Sequence, residues 1–491
     1  MSHVKLVDTT LRDGQQSLWA CHMRLDAMVP ALEDIDEAGY EGIEIFVASA
    51  QFSRGVRDLH ENPWEWLHAA TSRVKKTPLR LHGAMHSAFA SIPKCVQSLF
   101  LERIADLGIQ LTRASDPWNS PAGLESTVAS MRAHGIETIA NIIYSVSPRH
   151  TLDYYAERTK AIAALGPTRL CFKDVGGLMT PAVAQQLLPI VLENSNGIPV
   201  EFHAHCTNGL AGFVALEAAD LGIGIIHTSI PPLAEGASQP SVFNIASNLR
   251  ARGHTVDLDL GRLGRVSDHF NRVAEYEDLP KGTAQVYDES LYLHQVPGGM
   301  ISNLKFQLHK LGMSDRWPDA LHEMVQVRAD LGYPIMVTPL SQFVGSQAVL
   351  NVISGTRYGT VTDEVIEYAL GRWGAEAPSA MDPEIKALIL NRGRAEQIEN
   401  RVEIQPSLKE VRARLGETLS DEELILRVFS GIGSEPLPWT TSPRPPESYA
   451  EYVTMRSPLL SVIKRIGSSP GIRSFHVDLG GEGGIAVGRR R

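Results

Sequence analysis

The chain has few cysteines and no long apolar stretch, and each shortage excludes a class of protein. Its four cysteines, Cys21, Cys95, Cys171 and Cys206, are few for 491 residues and show no CxxC spacing. A disulfide framework or an all-cysteine zinc site is therefore not expected, and we predict free cysteines. No apolar run reaches the roughly eighteen residues that a membrane helix needs, so we expect no membrane span.

Excess positive charge is also missing. The chain carries 46 Lys and Arg against 56 Asp and Glu, a formal net charge of −10. Nucleic-acid binding needs clustered basic residues to neutralise phosphates, so we expect no nucleic-acid partner. The basic end, Arg489 to Arg491, is interpreted as a solvated tail. No apolar signal segment precedes the first strand-like run, which predicts a cytoplasmic protein.

Short β-type runs alternate with helical runs over roughly the first 270 residues, a pattern typical of a (β/α)8 TIM barrel. A doubly wound open sheet is the alternative, but its usual GxGxxG after the first strand is absent. The predicted strands are Val4–Val7, Gly42–Phe46, Leu79–Leu81, Leu111–Arg113, Glu137–Asn141, Arg169–Phe172, Pro199–Phe202 and Ile225–Thr228.

Beyond the barrel the pattern becomes mainly helical. We predict an α/β chain with a barrel domain at 1–280 and a helical C-terminal domain at 281–440. A proline-rich linker and tail would follow at 441–491, as a candidate docking segment.

Barrel enzymes place their chemistry at the carboxyl ends of the strands, which directs attention to Asp8 and Arg12. Asp8 ends the first strand, where its carboxylate can bind a divalent cation. Arg12 lies in the following loop and can hold a carboxylate or a carbonyl by a forked hydrogen bond. For an aspartate in this position, a surface turn is the equally common alternative.

His203 and His205 are two apart at the end of another strand, so both side chains point the same way. Such a pair favours binding of Zn, Mn or Co over two unrelated core histidines.

Lys173 ends the preceding strand. A buried lysine with a lowered pKa can take up CO2 as a carbamate, which binds metal as a carboxylate does. A plain surface pair of Lys173 with Asp174 is the alternative.

Several motifs together resemble the carboxyltransferase part of biotin-dependent pyruvate carboxylases, oxaloacetate decarboxylase alpha chains and transcarboxylase 5S subunits. The opening motif and the His-x-His pair are shared with metal-dependent Claisen-type lyases, whereas the Lys173 motif and the segment from His294 are specific to the carboxyltransferases. The matching segments are Asp8–Leu18, Leu59–Trp64, Phe172–Leu178, Phe202–His205, His294–Leu304 and Val337–Gly345.

This resemblance implies a role for each matched position. Asp8, His203 and His205 would bind a divalent metal, and N6-carboxylated Lys173 would complete the site and act in catalysis. Arg12 and Gln16 would be catalytic residues beside the substrate or the biotin ring. No Met-Lys pair occurs in the chain. Biotin would therefore arrive on another chain, a biotin carboxyl carrier protein, with a biotin carboxylase subunit as second partner. The family also implies a homodimer.

Three segments depart from the family pattern, and all three belong to the substrate side. Ala237 stands where the family has a proton-shuttling threonine, with Ser238 next to it. His82 stands where an arginine binds the substrate carboxylate. Phe46–Phe52 replaces a Trp-Gly-Gly-Ala-Thr-Phe-Asp run. Because the expected metal ligands are retained while the substrate pocket is altered, we predict carboxyl transfer on a non-standard analogue, in preference to pyruvate or oxaloacetate. A biotin-independent lyase or decarboxylase and a non-catalytic assembly subunit are the alternatives.

Overall fold

The computed structural model of the chain describes residues 2–83, 92–296, 304–305, 308–310, 312–401, 405–439 and 444–456, and the backbone alone of 474–478 and 484–488. The basic tail, most of the segment after His294 and residues 440–443 of the proline-rich stretch lie outside these ranges. Among the described helices, none has the length and apolarity required to cross a bilayer. All four cysteines are free, as predicted.

Eight parallel strands close into a barrel in sequential order, which confirms the predicted fold and excludes the open doubly wound sheet. Each predicted strand is present within one or two residues of its expected ends. The strands are β1 (Lys5–Asp8), β2 (Gly42–Val47), β3 (Leu79–His82), β4 (Leu111–Ala114), β5 (Glu137–Ile143), β6 (Arg169–Asp174), β7 (Val200–Ala204) and β8 (Ile225–Thr228).

Helices surround the barrel, and several begin with a sequence-encoded cap. Asn62 and Thr180 accept backbone hydrogen bonds at the starts of their helices, and a proline follows each in the first helical position. A proline there loses no hydrogen bond and already has a helical φ. The helices of this part are Gln15–Trp19, Leu25–Met28, Leu32–Asp36, Ala48–Arg54, Pro63–Arg73, Lys94–Asp106, Pro121–Ala133, Leu152–Ala163, Pro181–Asn194, Ala211–Asp220, Val242–Ala251 and Leu260–Tyr276.

Strand alternation divides the barrel residues into an outer and an inner set. The outer set packs with the helices in the main hydrophobic core; it includes Leu6, Ile43, Leu81, Phe172 and Phe202. The inner set has a small apolar layer of Leu111, Ile139 and Cys171. Its other members include charged and imidazole side chains that are almost fully buried: Glu44, Arg80, Arg113, Glu201, His203 and His227. The barrel interior is therefore polar at its mouth and also near the amino ends of its strands.

The C-terminal region is mainly helical, as expected, and has its own hydrophobic core between about Val296 and Ile398. Trp118, from a barrel loop, joins that core. The helices of this region are Leu291–His294, Trp317–Asp330, Leu340–Ser354, Asp363–Ala369, Ala377–Ala380, Pro383–Leu390, Gly393–Glu399, Leu408–Leu415, Asp421–Ser430 and Tyr449–Arg456.

The last helices return to the barrel. Phe429 lies 5.5 Å from Phe52 and 5.4 Å from Phe100 between ring centroids, and Trp64 donates its indole N–H to the carbonyl of Glu422 at 2.8 Å. The segment 408–430 therefore belongs to the barrel's core, although it follows the second core in sequence. Strands Ser474–Asp478 and Gly484–Gly488 form a separate two-stranded antiparallel sheet. The boundaries 1–280, 281–440 and 441–491 stay a prediction.

Candidate metal centre at the barrel mouth

Asp13, His203 and His205 bring three metal-binding atoms within 4.8 Å of one another in the barrel mouth. Oδ2 of Asp13 lies 3.2 Å from Nε2 of His203 and 3.7 Å from Nε2 of His205. The two Nε2 atoms are 3.2 Å apart. Nζ of Lys173 approaches the same Asp13 oxygen to 4.0 Å. Four side chains from the loop after β1 and from the ends of β6 and β7 thus surround one point.

The hydrogen bond on the far side of His205 fixes its tautomer. Nδ1 of His205 lies 2.6 Å from the carbonyl oxygen of Ala237, which can only accept. Nδ1 therefore carries the hydrogen, and in the neutral ring Nε2 presents a lone pair to the cluster. The amide of Gln239 lies 3.3 Å from this Nε2 and 3.4 Å from that of His203.

The protonation states of the two histidines and of Asp13 favour binding of a cation. Burial, and next the charge of Lys173, holds the pKa of His203 well below its usual value, and burial lowers the pKa of His205. Burial alone would raise the pKa of Asp13, but Arg12 and the neighbouring imidazoles hold it well below the ordinary range. Two neutral imidazoles and a carboxylate therefore converge, and this donor set fits Zn, Mn or Co.

Lys173 lies opposite His203 in the register of β6 and β7, so the two side chains share the inner face. Burial, and next the positive charge of Arg113, lowers the pKa of Lys173 to about 7. The surface-pair alternative is wrong, because Asp174 is buried and accepts backbone N–H groups from Leu178 at 3.0 Å and Met179 at 2.8 Å.

The structure does not bring Asp8 into the cluster; Asp13 takes the place that Asp8 was expected to fill. Asp8 lies two residues after Leu6 on β1, so the two side chains point to the same face of the strand. Leu6 packs in the outer core, and the Asp8 side chain therefore points away from the barrel interior. Its Oδ1 accepts the Thr10 hydroxyl at 2.5 Å. A π-helical turn, Thr10–Gly14, carries Asp13 back over the mouth.

Arg12 is buried at the site but is already engaged by protein groups. Its Nε and Nη2 donate to Oε2 of Glu44 at 2.9 and 2.6 Å, and Nη2 lies 2.7 Å from Asp13. Nη1 points toward the exposed Gln16, whose Oε1 is 3.5 Å away. Among these contacts of the guanidinium, the one from Nη1 to Gln16 is therefore the longest.

The three substrate-side residues lie around the same mouth. His82 ends β3, and its Nδ1 is buried without a hydrogen-bond partner in the described part of the chain. Burial, and next the charge of Arg12, holds its pKa well below the usual value, so the ring is neutral. Ala237 contributes its carbonyl to His205. The Ser238 hydroxyl points away, toward Ser229 and Gln239 at 3.4 Å.

The sequence interpretation missed the buried charges behind the cluster. Nη1 of Arg113 lies 3.2 Å from Glu44, and Nη1 of Arg80 donates to both oxygens of Glu201 at 2.8 and 3.0 Å. Glu44 lies between Ile43 and Ile45, and Arg80 between Leu79 and Leu81. A charge flanked by outer-face aliphatic residues is the pattern that predicts a polar barrel interior, whereas Asp8 shares the face of Leu6, an outer-face residue. The third departure, at Phe46–Phe52, supplies an aromatic cluster with Trp64.

Comparison with known proteins agrees with this architecture. The family model described as "HMGL-like" matches residues 3–269, and the model described as "Conserved carboxylase domain" matches residues 291–434. The first corresponds to the barrel and the second to the helical region. Together they define the class of protein as an HMGL-like barrel joined to a carboxylase domain.

Among curated proteins, a pyruvate carboxylase subunit of Methanocaldococcus jannaschii is 37% identical over 393 residues, covering 79% of this chain and 69% of the relative. The methylmalonyl-CoA carboxyltransferase 5S subunit of Propionibacterium freudenreichii subsp. shermanii is 29% identical over 445 residues, covering 90% and 86%. The 2-oxoglutarate carboxylase large subunit of Hydrogenobacter thermophilus is 31% identical over 434 residues, covering 86% and 66%. The chain belongs to the biotin-dependent carboxyltransferases of the pyruvate carboxylase family.

Solved structures show the same fold. The carboxyl transferase domain of Rhizobium etli pyruvate carboxylase, crystallised with pyruvate, matches with a TM-score of 0.80 at 23% identity, over 99% of this chain and 83% of that chain. The same domain with oxamate and biotin matches with a TM-score of 0.79 at 24% identity, over 94% and 79%. The family resemblance inferred from the sequence motifs is confirmed.

Proposed function

We propose that this carboxyltransferase works with a divalent cation held by Asp13, His203, His205 and a carboxylated Lys173. The observation that carries the proposal is the convergence of one carboxylate, two imidazole lone pairs and an amine of lowered pKa on one point. A cation that takes five or six ligands would bind these four protein groups and still have a position for substrate. A bound cation would act there as a Lewis acid on the substrate carbonyl oxygen.

The protein residues would orient the reactants in a carboxyl transfer from carboxybiotin. The bond between the carboxyl carbon and biotin N1 breaks, and a new bond forms to the substrate carbon next to the carbonyl. That carbon loses a proton, which goes to biotin N1. Ala237 has no hydroxyl and the Ser238 hydroxyl points away, so neither side chain relays this proton. Arg12 and Gln16 would face the transferred group on the open side.

The substrate side favours a small 2-oxo acid other than pyruvate or oxaloacetate. His82 is neutral, so it cannot give a carboxylate the charge-assisted forked grip of an arginine. A substrate whose carboxylate reaches Nη1 of Arg12, with a neutral group against His82, would suit this arrangement. 2-Oxoglutarate belongs in the test set because a relative is named for it.

We propose that biotin reaches the mouth on a separate carrier chain, which is loaded by a biotin carboxylase subunit. The family membership supports this assembly. A homodimer and a cytoplasmic location stay predictions.

A decarboxylation assay with free biotin as carboxyl acceptor tests the proposal. Purified protein loaded with Zn, Mn or Co is incubated with oxaloacetate and other 3-carboxylated 2-oxo acids, with and without biotin, and CO2 release is measured. We expect biotin-stimulated release from at least one acid, and its loss in Lys173→Ala. Release that does not depend on biotin would support a biotin-independent lyase. Protein that binds no cation and releases no CO2 would support an assembly subunit.

A further inference from the structure

A chain of three buried side chains extends from the cluster into the barrel. Nδ1 of His203, on the side away from Asp13, lies 3.0 Å from Nδ1 of His227. Nε2 of His227 lies 2.9 Å from Oε2 of Glu201. Glu201, His203 and His227 are each at most 1% exposed, so water does not compete for these contacts.

One end of this chain is fixed. Glu201 is held as a carboxylate by Arg80, at 2.8 and 3.0 Å, and by Arg169, at 3.1 Å. A carboxylate only accepts, so Nε2 of His227 carries the hydrogen. In the neutral ring, Nδ1 of His227 is then an acceptor. Nη1 of Arg113, which can only donate, lies 3.4 Å from that Nδ1 and 3.5 Å from Nδ1 of His203, so the contact with Glu201 alone assigns this ring.

The number of ring hydrogens limits the hydrogen bonds at the Asp13 end of this chain. The chain has three contacts: Asp13 with His203, His203 with His227, and His227 with Glu201. Two neutral imidazoles supply two ring hydrogens, so three minus two leaves one contact without a hydrogen. With hydrogens on His227 Nε2 and His203 Nδ1, the empty contact is the one between His203 Nε2 and Asp13. A cation fits there, between a lone pair and a carboxylate.

We propose that Glu201 and His227 are positioning residues that hold His203 as the Nδ1–H tautomer, with its Nε2 lone pair directed at the cation. The inference rests on the proposed cation site. Such partners behind a metal-binding histidine set its tautomer and ring orientation, and losing one typically weakens metal binding by about 10–100-fold. Ala237 does the same for His205 with its backbone carbonyl.

Two variants of His227 separate positioning from packing. His227→Asn keeps an oxygen acceptor near the position of Nδ1, whereas His227→Leu fills the space and removes the acceptor. Co²⁺ titration of metal-free protein by calorimetry, with the cobalt absorption spectrum as second readout, compares each variant with the wild type. We expect His227→Leu to bind about 10–100-fold more weakly and to show an altered spectrum. His227→Asn should stay much closer to the wild type.

Equal Co²⁺ affinity in His227→Leu and the wild type overturns the inference while leaving the cation site intact. Equal weakening in both variants also overturns it, since the loss would then follow from the ring and not from the acceptor. A wild type that binds no Co²⁺ refutes the proposed site itself.

A measurement on the wild type needs no variant to fold. In Zn²⁺-loaded protein with ¹⁵N-labelled histidine, NMR should show a hydrogen on Nδ1 of His203 and a coupling across its hydrogen bond to Nδ1 of His227. A hydrogen on Nδ1 of His227 instead contradicts the proposed direction of the chain.

Discussion

The amine of Lys173 should react with CO2 at neutral pH, because its surroundings disfavour the charged form. A lysine of ordinary pKa, 10.5, is unprotonated in roughly 1 molecule in 3000 at pH 7, whereas a pKa of about 7 leaves about half unprotonated. The reactive fraction is therefore larger by a factor on the order of 1000. This factor follows from burial and from the nearby Arg113, and both survive in metal-free protein.

The assay is ¹³C NMR of metal-free protein equilibrated with ¹³C-labelled bicarbonate across a range of pH. We expect a carbamate resonance that is already strong near pH 7 and absent in Lys173→Met. Lys76→Met is the matched control, since the Lys76 side chain is 64% exposed, and it should leave the resonance unchanged. A resonance that survives in Lys173→Met, or that emerges only above about pH 9, refutes the reasoning.

The same pKa shift links Lys173 to stability. Between about pH 7 and 10.5 the unfolded chain binds a proton at this lysine that the folded chain lacks, so the free energy of unfolding rises with pH across that window. The slope contributed is at most about 1.4 kcal/mol per pH unit. Urea denaturation of the metal-free wild type and of Lys173→Met, at several pH values, should show the wild type gaining stability relative to the variant as pH rises. Parallel curves would contradict the shift.

Three further substitutions test the site and its support. Asp13→Asn should weaken Co²⁺ binding by more than the roughly 10–100-fold expected for a residue that only supports a ligand. Asp8→Asn should leave Co²⁺ affinity, measured by calorimetry, unchanged. A loss of affinity in Asp8→Asn but not in Asp13→Asn would restore Asp8 as the ligand. Phe429→Ala should lower the free energy of unfolding by about 3–5 kcal/mol because it empties a buried aromatic cluster, whereas Phe213→Ala, at a 63% exposed ring, should cost little in the same denaturation assay. Glu376→Gln should lower the free energy of unfolding by about 1 kcal/mol, because Glu376 joins Arg149 and Arg158 of the barrel to the helical region at 2.5 and 2.7 Å. If this loss of stability persists in high salt, it does not have an ionic origin.

The sequence predicted the barrel because its strands carry a strong local pattern, and it predicted that His203, His205 and Lys173 lie at one mouth because strand alternation sets their direction. Asp13 was missed for a physical reason. It lies in a π-helical turn, where neither strand nor helix periodicity states which way a side chain points. Asp8, in contrast, lies in a strand, and strand alternation places it on the same outer face as Leu6.

Contacts between distant segments were also beyond local pattern. Glu201 and His227 meet only when β7 and β8, which a helix separates in sequence, pair side by side, so no spacing in the chain predicts their hydrogen bond. The helices at 408–430 read as part of the charged C-terminal region, yet Phe429 is 4% exposed in the barrel core. A short apolar face on a charged helix identifies a buried side but not the surface that covers it.

Anomalous diffraction from crystals grown with Zn²⁺ or Mn²⁺ tests the central claim most directly. We predict one strong peak in the barrel mouth, about 2.0–2.2 Å from Oδ2 of Asp13, from Nε2 of His203 and His205, and from an oxygen of carboxylated Lys173. A peak beside Asp8, or a mouth that stays without a peak at saturating metal, would contradict it.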